Sequence, residues 1–177
     1  MNVAKYEILT LGGKIINFER CDPEQITLED IAHGLSNVCR FSGQLYKFYS
    51  VAQHCLHVCR HMPDHLKLDA LFHDASEAYM GDVPRPVKLL CPDYKKIEAE
   101  ISEAIRLRFG LSELSEVDER VLKGADSRCL LTEAQQLKLG NVHWLDVPYE
   151  PFEESIVPMT PDEARAAYLA VARALGV

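Results

Sequence analysis

The sequence has no run of apolar residues long enough to cross a bilayer, and its first twenty residues carry charges instead of an apolar segment. A membrane-spanning helix needs about 20 consecutive apolar residues, and a secretion signal needs an uninterrupted apolar stretch behind a basic start. We therefore expect a protein without membrane partners, and we predict a cytoplasmic location.

The sequence also lacks an excess of basic residues. Its 27 Asp and Glu outnumber its 19 Lys and Arg, so the net charge is −8 and the isoelectric point is about 5.3. Proteins that bind the phosphate backbone of nucleic acids usually carry a basic face, so we expect no nucleic-acid partner. A small anionic ligand held by a local group of Lys and Arg is compatible with this charge.

No two of the six cysteines are spaced as CxxC, and no secretion signal precedes them. We interpret them as reduced thiols; they are Cys21, Cys39, Cys55, Cys59, Cys91 and Cys129. With 177 residues, of which 47% are hydrophobic, the chain can bury a substantial core. The simplest organisation at this length is one domain.

The hydrophobic pattern predicts an all-α, HD-type helical bundle with a small N-terminal β-hairpin. Residues 1–20 alternate around Gly12 and Gly13, which is typical of two short strands joined by a tight turn. Residues 26–140 have helical spacing and form the predicted catalytic core. Residues 148–177 comprise a proline-marked connector and a C-terminal helix, for which Thr160 is the predicted N-cap. All three segments belong to the single predicted domain, 1–177.

The stretch LFHDASEAYMGD, residues 71–82, places four ionisable groups in an otherwise apolar run. These groups are His73, Asp74, Glu77 and Asp82. The pattern predicts one helix over residues 66–81 that ends at Gly81. Because an unpaired buried charge is very costly, the acids in this helix need a cation nearby.

Two further segments supply side chains that can complete a metal site. His54 lies on a second predicted helix and Asp126 on a third, so two His and two Asp can surround one ion together with His73 and Asp74. Imidazole nitrogen and carboxylate oxygen suit first-row divalent metals. We predict one or more divalent ions, and the residues leave their identity open among Co, Zn, Mn, Ni and Mg.

Other charged residues near this set indicate hydrolysis of a phosphate ester or anhydride. Glu77 shares a helix face with the predicted ligands and can take a proton from an attacking water, and Asp82 can act from another angle. Arg40, Arg85 and Lys88 are donors of the kind that hold phosphate oxygens. An alternative role for Arg85 is to brace the proline loop.

Two histidines on the same predicted helix as His54 have a simpler interpretation. His57 and His61 follow it at steps of three and four residues, and we interpret them as ordinary half-buried or surface histidines.

The order His54 … His73-Asp74 … Asp126 resembles that of the HD-domain metal-dependent phosphohydrolases. The stretches SVAQHCLHV, ALFHDASEAYMGDVPRPVK, YKKIEAEI and LKGADSRCLL are similar to those of their 5′-deoxynucleotidase-like branch, and the similarity runs from about residue 30 to residue 135. The resemblance implies that the four residues bind the metal. It also implies that Glu77 acts on the attacking water and that Asp82 assists at the scissile phosphate.

The resemblance further implies the substrate contacts. Arg40 is expected to contact the phosphate, Phe41 to lie near the nucleoside where this branch often has Trp, and Lys88 to lie on the phosphate side. Arg85 and Pro86 complete the predicted substrate-binding set, because the packing of Pro86 affects the shape of the pocket.

The short chain also resembles phage-type dATP triphosphohydrolases, which implies a host-cytoplasmic location if a phage encodes it. The leading prediction is therefore release of triphosphate from dATP or another dNTP, with a purine deoxynucleotide as partner, and Lys123 is a further candidate for holding the outer phosphates. Two alternatives stay open, a 5′-deoxynucleotidase acting on dNMPs and a nucleotide-sensing module without catalysis. The family resemblance also implies a homo-oligomer, a dimer or a hexamer.

Overall fold

The computed structural model describes residues 5–137 and 148–177. The first four residues of the predicted hairpin segment and residues 138–140 of the predicted core lie outside the described residues. Strands β1 (Glu7–Leu9) and β2 (Ile15–Asn17) pair antiparallel, with Ile8 opposite Ile16. The helices are α1 (Leu28–Asn37), α2 (Val51–Arg60), α3 (Lys67–Phe72), α4 (Glu77–Met80), α5 (Arg85–Leu90), α6 (Pro92–Phe109), α7 (Glu116–Leu137) and α8 (Pro161–Ala174). The predicted all-α fold with a small N-terminal hairpin is confirmed.

The helices that frame the core begin where the sequence provides a capping side chain. Thr27, Ser50 and Thr160 each accept a hydrogen bond from the backbone N–H three residues later, at the starts of α1, α2 and α8. At α8, the Glu163 side chain also accepts a hydrogen bond from the Thr160 N–H, which completes a capping box. The predicted cap at Thr160 is therefore confirmed.

The core lies where α8 packs against α1 and α2, and α2 also packs against α3 and α7. Side chains with no exposed surface fill it, among them Ile31, Leu35, Cys55, Leu71 and Tyr168. None of the helices within the described ranges is long and apolar enough to cross a membrane.

The predicted single helix over residues 66–81 is wrong, because α-helical hydrogen bonding is interrupted after Phe72, although His73 and Ser76 keep right-handed helical dihedral angles. Residues 73–76 form a turn between α3 and α4, and the Ala75 N–H bonds to the Phe72 carbonyl, three residues back instead of four. The hydroxyl of Tyr168 in α8 donates to the Leu71 carbonyl at 2.8 Å. A tertiary hydrogen bond thus supports the backbone where the local helix is interrupted.

We expect Tyr168→Phe to lower the free energy of unfolding by about 1–3 kcal/mol, the cost of leaving a buried carbonyl without its donor. Urea unfolding followed by circular dichroism measures this loss. Tyr46→Phe is the matched control, because Tyr46 is 76% exposed and loses no buried contact. Equal stability of the two variants would contradict a supporting role for the Tyr168 hydroxyl.

Candidate metal centre

His54 is fixed in one tautomer by a buried carboxylate. It lies on α2 with no exposed surface, and its Nδ1 is 2.6 Å from Oε1 of Glu133 on α7. Burial opposes ionisation of Glu133, but His54 and Arg40 hold the pKa of this carboxyl well below its ordinary value. An ionised carboxylate only accepts, so Nδ1 carries the proton and Nε2 presents a lone pair.

His73 has the same orientation for a different reason. Its Nδ1 lies 2.8 Å from the Ala70 carbonyl oxygen, which can only accept a hydrogen bond. The proton therefore sits on Nδ1, and Nε2 is again the bare nitrogen. The His54 and His73 rings lie 5.2 Å apart between centroids, so their Nε2 atoms face the same space.

Two carboxylates face these nitrogens. Asp74 Oδ2 lies 3.2 Å from His73 Nε2 and 3.6 Å from His54 Nε2, and Asp126 Oδ1 lies 3.1 Å from His54 Nε2 and 3.9 Å from His73 Nε2. Burial opposes the charge of Asp74, but His73, His54 and Arg40 keep the pKa of its carboxyl far below the ordinary value. The structure thus brings together all four predicted ligands.

This donor set fits a divalent metal ion. Both Nε2 atoms are buried and neither makes a hydrogen bond to any described residue, and bare nitrogens facing carboxylates repel them unless a cation lies between. Without a metal, protons take that place: burial opposes protonation of His73, yet Asp74 raises its pKa well above the ordinary value. Two nitrogens and two oxygens match the ligand preferences of Zn, Co, Mn and Ni.

Glu77 lies beside this centre, at the start of α4. It is 4% exposed, its Oε1 accepts from Lys88 Nζ at 3.3 Å, and its Oε2 has no hydrogen-bond partner among the described residues. Burial, with the charges of Asp74 and Asp82, raises the pKa of Glu77 to about 8. A carboxyl group with this pKa can accept a proton and return it near neutral pH.

Arg40 connects Glu133 to the ligands. Its Nε and Nη2 donate to Glu133 Oε2 at 3.3 and 3.1 Å, and its Nη1 lies 3.8 Å from Asp74 Oδ2. The next residue, Phe41, has a left-handed backbone conformation (φ 54°, ψ 33°), which residues other than glycine rarely adopt. This conformation puts the Phe41 ring 5.6 Å from the Arg40 guanidinium carbon.

The other predicted substrate residues are more peripheral. Arg85 and Pro86 are exposed at the start of α5, and no hydrogen bond or ion pair joins Arg85 to the four ligands in the part of the chain that the structure describes. Lys88 donates to Glu98 at 2.6 Å as well as to Glu77. Asp82 directly follows Gly81, whose φ of 79° ends α4, and it is partly exposed.

Glu133 is a site residue that the sequence did not reveal. It accepts hydrogen bonds from Arg40, His54 and the Tyr49 hydroxyl, at 3.2 Å for the last. The available signal is its spacing: Glu133 lies seven residues, two helical turns, after Asp126 and so shares its face of α7.

A cavity of about 740 Å³ opens beside His73 and Asp126. Apolar side chains line part of it: Phe72, Leu111, Leu114 and Leu122. Its other charged lining comprises five carboxylates and two cations: Asp69, Glu103, Glu113, Glu116, Glu119, Arg106 and Lys123. The space next to the candidate metal is therefore large, partly apolar and acidic.

No family model matches the chain. The chain is 37% identical to the uncharacterized protein YfdR of Escherichia coli (strain K12), over 92% of this chain and 91% of that protein. The chain belongs to the YfdR family. An uncharacterized Rhodobacter capsulatus protein, RCAP_rcc00048, is also 37% identical, over 72% of this chain and 70% of the relative.

More distant relatives carry a functional name. The 5′-deoxynucleotidase VP0926 of Vibrio parahaemolyticus is 35% identical over 45% of this chain, and the alignment spans half of that protein. Other bacterial relatives have the same name. The predicted resemblance to the 5′-deoxynucleotidase branch is therefore confirmed at the level of distant relatives. The closer resemblance to phage-type enzymes stays a prediction.

We expect Glu133→Gln to weaken divalent-metal binding by about 10–100-fold, because the partner that orients a ligand histidine supports metal affinity to this extent. Competition with a chromophoric chelator measures the affinity, and circular dichroism checks that the variant is folded. Glu116→Gln is the control, since Glu116 lies on the same helix with its side chain 92% exposed. Unchanged affinity in Glu133→Gln would show that His54 does not depend on this carboxylate.

Proposed function

We propose that the chain is a metal-dependent phosphohydrolase that cleaves the 5′ phosphate ester of deoxynucleotides. The observation that carries the proposal is the pair of buried, bare Nε2 atoms of His54 and His73 facing the carboxylates of Asp74 and Asp126. The distant relatives named 5′-deoxynucleotidase support the reaction class.

The proposed mechanism gives a separate task to each group around the ligands. A divalent ion held by His54, His73, Asp74 and Asp126 would supply Lewis acidity toward water and a phosphoryl oxygen. Glu77 takes the proton of the attacking water; its Oε2, which has no hydrogen-bond partner within residues 5–137 and 148–177, is available for this. This step needs the ionised form of Glu77, which Lys88 favours against the effect of burial.

Arg40 and Asp82 act on the substrate phosphate in this proposal. The guanidinium of Arg40 is held by Glu133 through Nε and Nη2, so Nη1 is the nitrogen turned toward Asp74 and the candidate metal. That position suits a contact with a phosphoryl oxygen. Asp82 assists at the scissile phosphate. Burial opposes the charge of Arg40, and Asp82 is one of the carboxylates that raise the pKa of its guanidinium, after Glu133 and Asp74. A sensing module without catalysis would not require Glu77 and Asp82 beside the ligands.

The charges near the ligands favour a deoxynucleoside monophosphate over the triphosphate that leads the sequence-based prediction. Five carboxylates against two cations line the cavity beside His73 and Asp126, which disfavours two further phosphoryl groups there. Two of the three cations expected to hold them are already paired: Lys88 with Glu77 and Glu98, and Lys123 with Glu119 at 3.5 Å. The third, Arg85, is exposed at the start of α5. The apolar lining of the cavity suits a nucleoside.

We expect the metal-loaded protein to release inorganic phosphate from dAMP or another dNMP faster than it releases triphosphate from dATP. Ion-exchange separation of phosphate, pyrophosphate and triphosphate after incubation with equal concentrations of each nucleotide measures both rates. Faster release of triphosphate from dATP would establish the triphosphohydrolase alternative. If neither phosphate nor triphosphate is released with any of Co²⁺, Mn²⁺ and Zn²⁺, the proposed reaction is refuted.

Two variants separate metal binding from proton transfer. We expect Asp74→Ala to lose both the metal and turnover, because it removes a ligand. Glu77→Ala should keep the metal and lose about 10²–10⁴-fold in rate, the contribution of a general base. Metal analysis by mass spectrometry and dNMP turnover measure the two effects, with Asp64→Ala as control because its side chain is 96% exposed. Loss of the metal in Glu77→Ala would make Glu77 a ligand instead.

A further inference from the structure

A second cluster of metal-ligating side chains lies on the same helix, outside the candidate metal centre. His57 and His61 are four residues apart on α2 and at its C-terminal cap, and Glu154 comes from the segment before α8. Residues four apart in a helix share a face. Glu154 Oε1 hydrogen-bonds to Nε2 of His57 and lies 2.5 Å from Nε2 of His61. One carboxylate oxygen thus contacts both imidazole rings.

We infer that His57, His61 and Glu154 bind a second divalent metal ion of the Zn²⁺ class. One ligand atom from each residue lies within 4.8 Å of the others, so the three atoms can surround one ion. Two imidazoles and one carboxylate are an established ligand set for zinc, with a fourth position for water. This proposal departs from the sequence-based interpretation of His57 and His61 as ordinary half-buried or surface histidines.

The buried Nδ1 of His57 distinguishes a metal site from a simple hydrogen-bonded clamp. His57 is 6% exposed, and its Nδ1 has no hydrogen-bond partner among the described residues. If Nε2 donates its proton to Glu154, a bare Nδ1 faces the Glu133 carboxylate, whose Oε1 is 3.9 Å away. With an ion on Nε2 the proton moves to Nδ1 and points toward Glu133, as the second nitrogen of a ligand histidine commonly does.

The surroundings hold the ligands in place and leave a route for the ion. The His61 ring stacks on Phe152 with centroids 3.6 Å apart and planes 4° apart, and the Arg128 guanidinium lies 3.9 Å from the centre of the same Phe152 ring. Arg60 reaches only the other oxygen of Glu154, at 3.5 Å. A cavity of about 170 Å³ opens beside His57 and Glu154.

The second ion would join the connector to α2 next to the candidate active site. Gln53 already fixes this connector, since its side chain donates to the Val157 carbonyl at 2.7 Å and accepts from the Met159 N–H at 2.8 Å. Glu133 lies between the two clusters: its Oε1 accepts from His54 and faces His57. The two ions would therefore be separated by one shared carboxylate, that of Glu133.

Metal stoichiometry tests the inference without reference to activity. The full chain is stripped with a chelator, reloaded with Co²⁺, dialysed, and analysed by mass spectrometry. We expect two equivalents in the wild type, one in His61→Ala, one in Asp74→Ala and none in the double variant. His65→Ala, which removes a histidine with a 67% exposed side chain, should keep two equivalents. Visible absorption of the Co²⁺ protein should lose a different component in each single variant.

Other outcomes overturn the inference. A wild type that holds one equivalent, lost in Asp74→Ala and kept in His61→Ala, would show that His57, His61 and Glu154 form only a hydrogen-bonded clamp. Two equivalents in a folded His61→Ala would place the second ion elsewhere. Should His61→Ala fail to fold, Glu154→Gln, which retains a hydrogen-bonding side chain, gives the same test. The Asp74→Ala result reports on the first site alone, so failure of the two proposals can be told apart.

Discussion

Glu133 is a carboxylate with no exposed surface, and its burial has to be offset by partners from distant parts of the chain. An isolated ionised carboxylate is prohibitively costly in an apolar interior. Here Arg40 donates two hydrogen bonds, Tyr49 one and His54 one, so the carboxylate is satisfied by groups that precede it by 93, 84 and 79 residues. This network fixes α7 against α2 and the turn after α1, and it also sets the tautomer of His54.

The orientation of the second ligand histidine depends on the backbone instead. His73 lies where α3 ends, and its Nδ1 bonds to the carbonyl of Ala70 in the preceding turn. Tyr168 supports the interrupted helix from α8 by bonding to the Leu71 carbonyl. The C-terminal helix therefore contributes to the candidate site without supplying a ligand. A carboxylate and a carbonyl thus accomplish the same result, which is to turn a bare Nε2 of each ring toward Asp74 and Asp126.

The sequence predicted which residues form the candidate metal centre, but it did not predict the backbone geometry that holds them. His73 and Asp74 were recognisable because ionisable residues in an apolar segment are unusual, and His54 and Asp126 because their order along the chain resembles that of the HD-domain phosphohydrolases. The interruption of the helix at His73 could not be recognised, because residues 66–81 have an uninterrupted helical pattern. The hydrogen bond that supports the interrupted backbone comes from Tyr168, nearly a hundred residues later. Glu133 could not be predicted as a site residue because its partners are also remote in sequence. A single acid on a helix is typical of a solvent-exposed face.

The charges around the first cluster explain why it calls for a divalent cation in particular. Asp74, Asp126 and Glu133 are three ionised carboxylates, and among the described residues Arg40 is the one permanently charged cation that pairs with them, through Asp74 and Glu133. Two negative charges are left, which one divalent ion or two protonated imidazoles neutralise. Protons and metal therefore compete for the same nitrogens, and metal binding must release protons from His54 and His73. Burial raises the pKa of Glu77 to about 8, so this carboxyl contributes little to the charge balance near neutral pH. Lys88, which it shares with Glu98, favours the ionised form that accepts a proton.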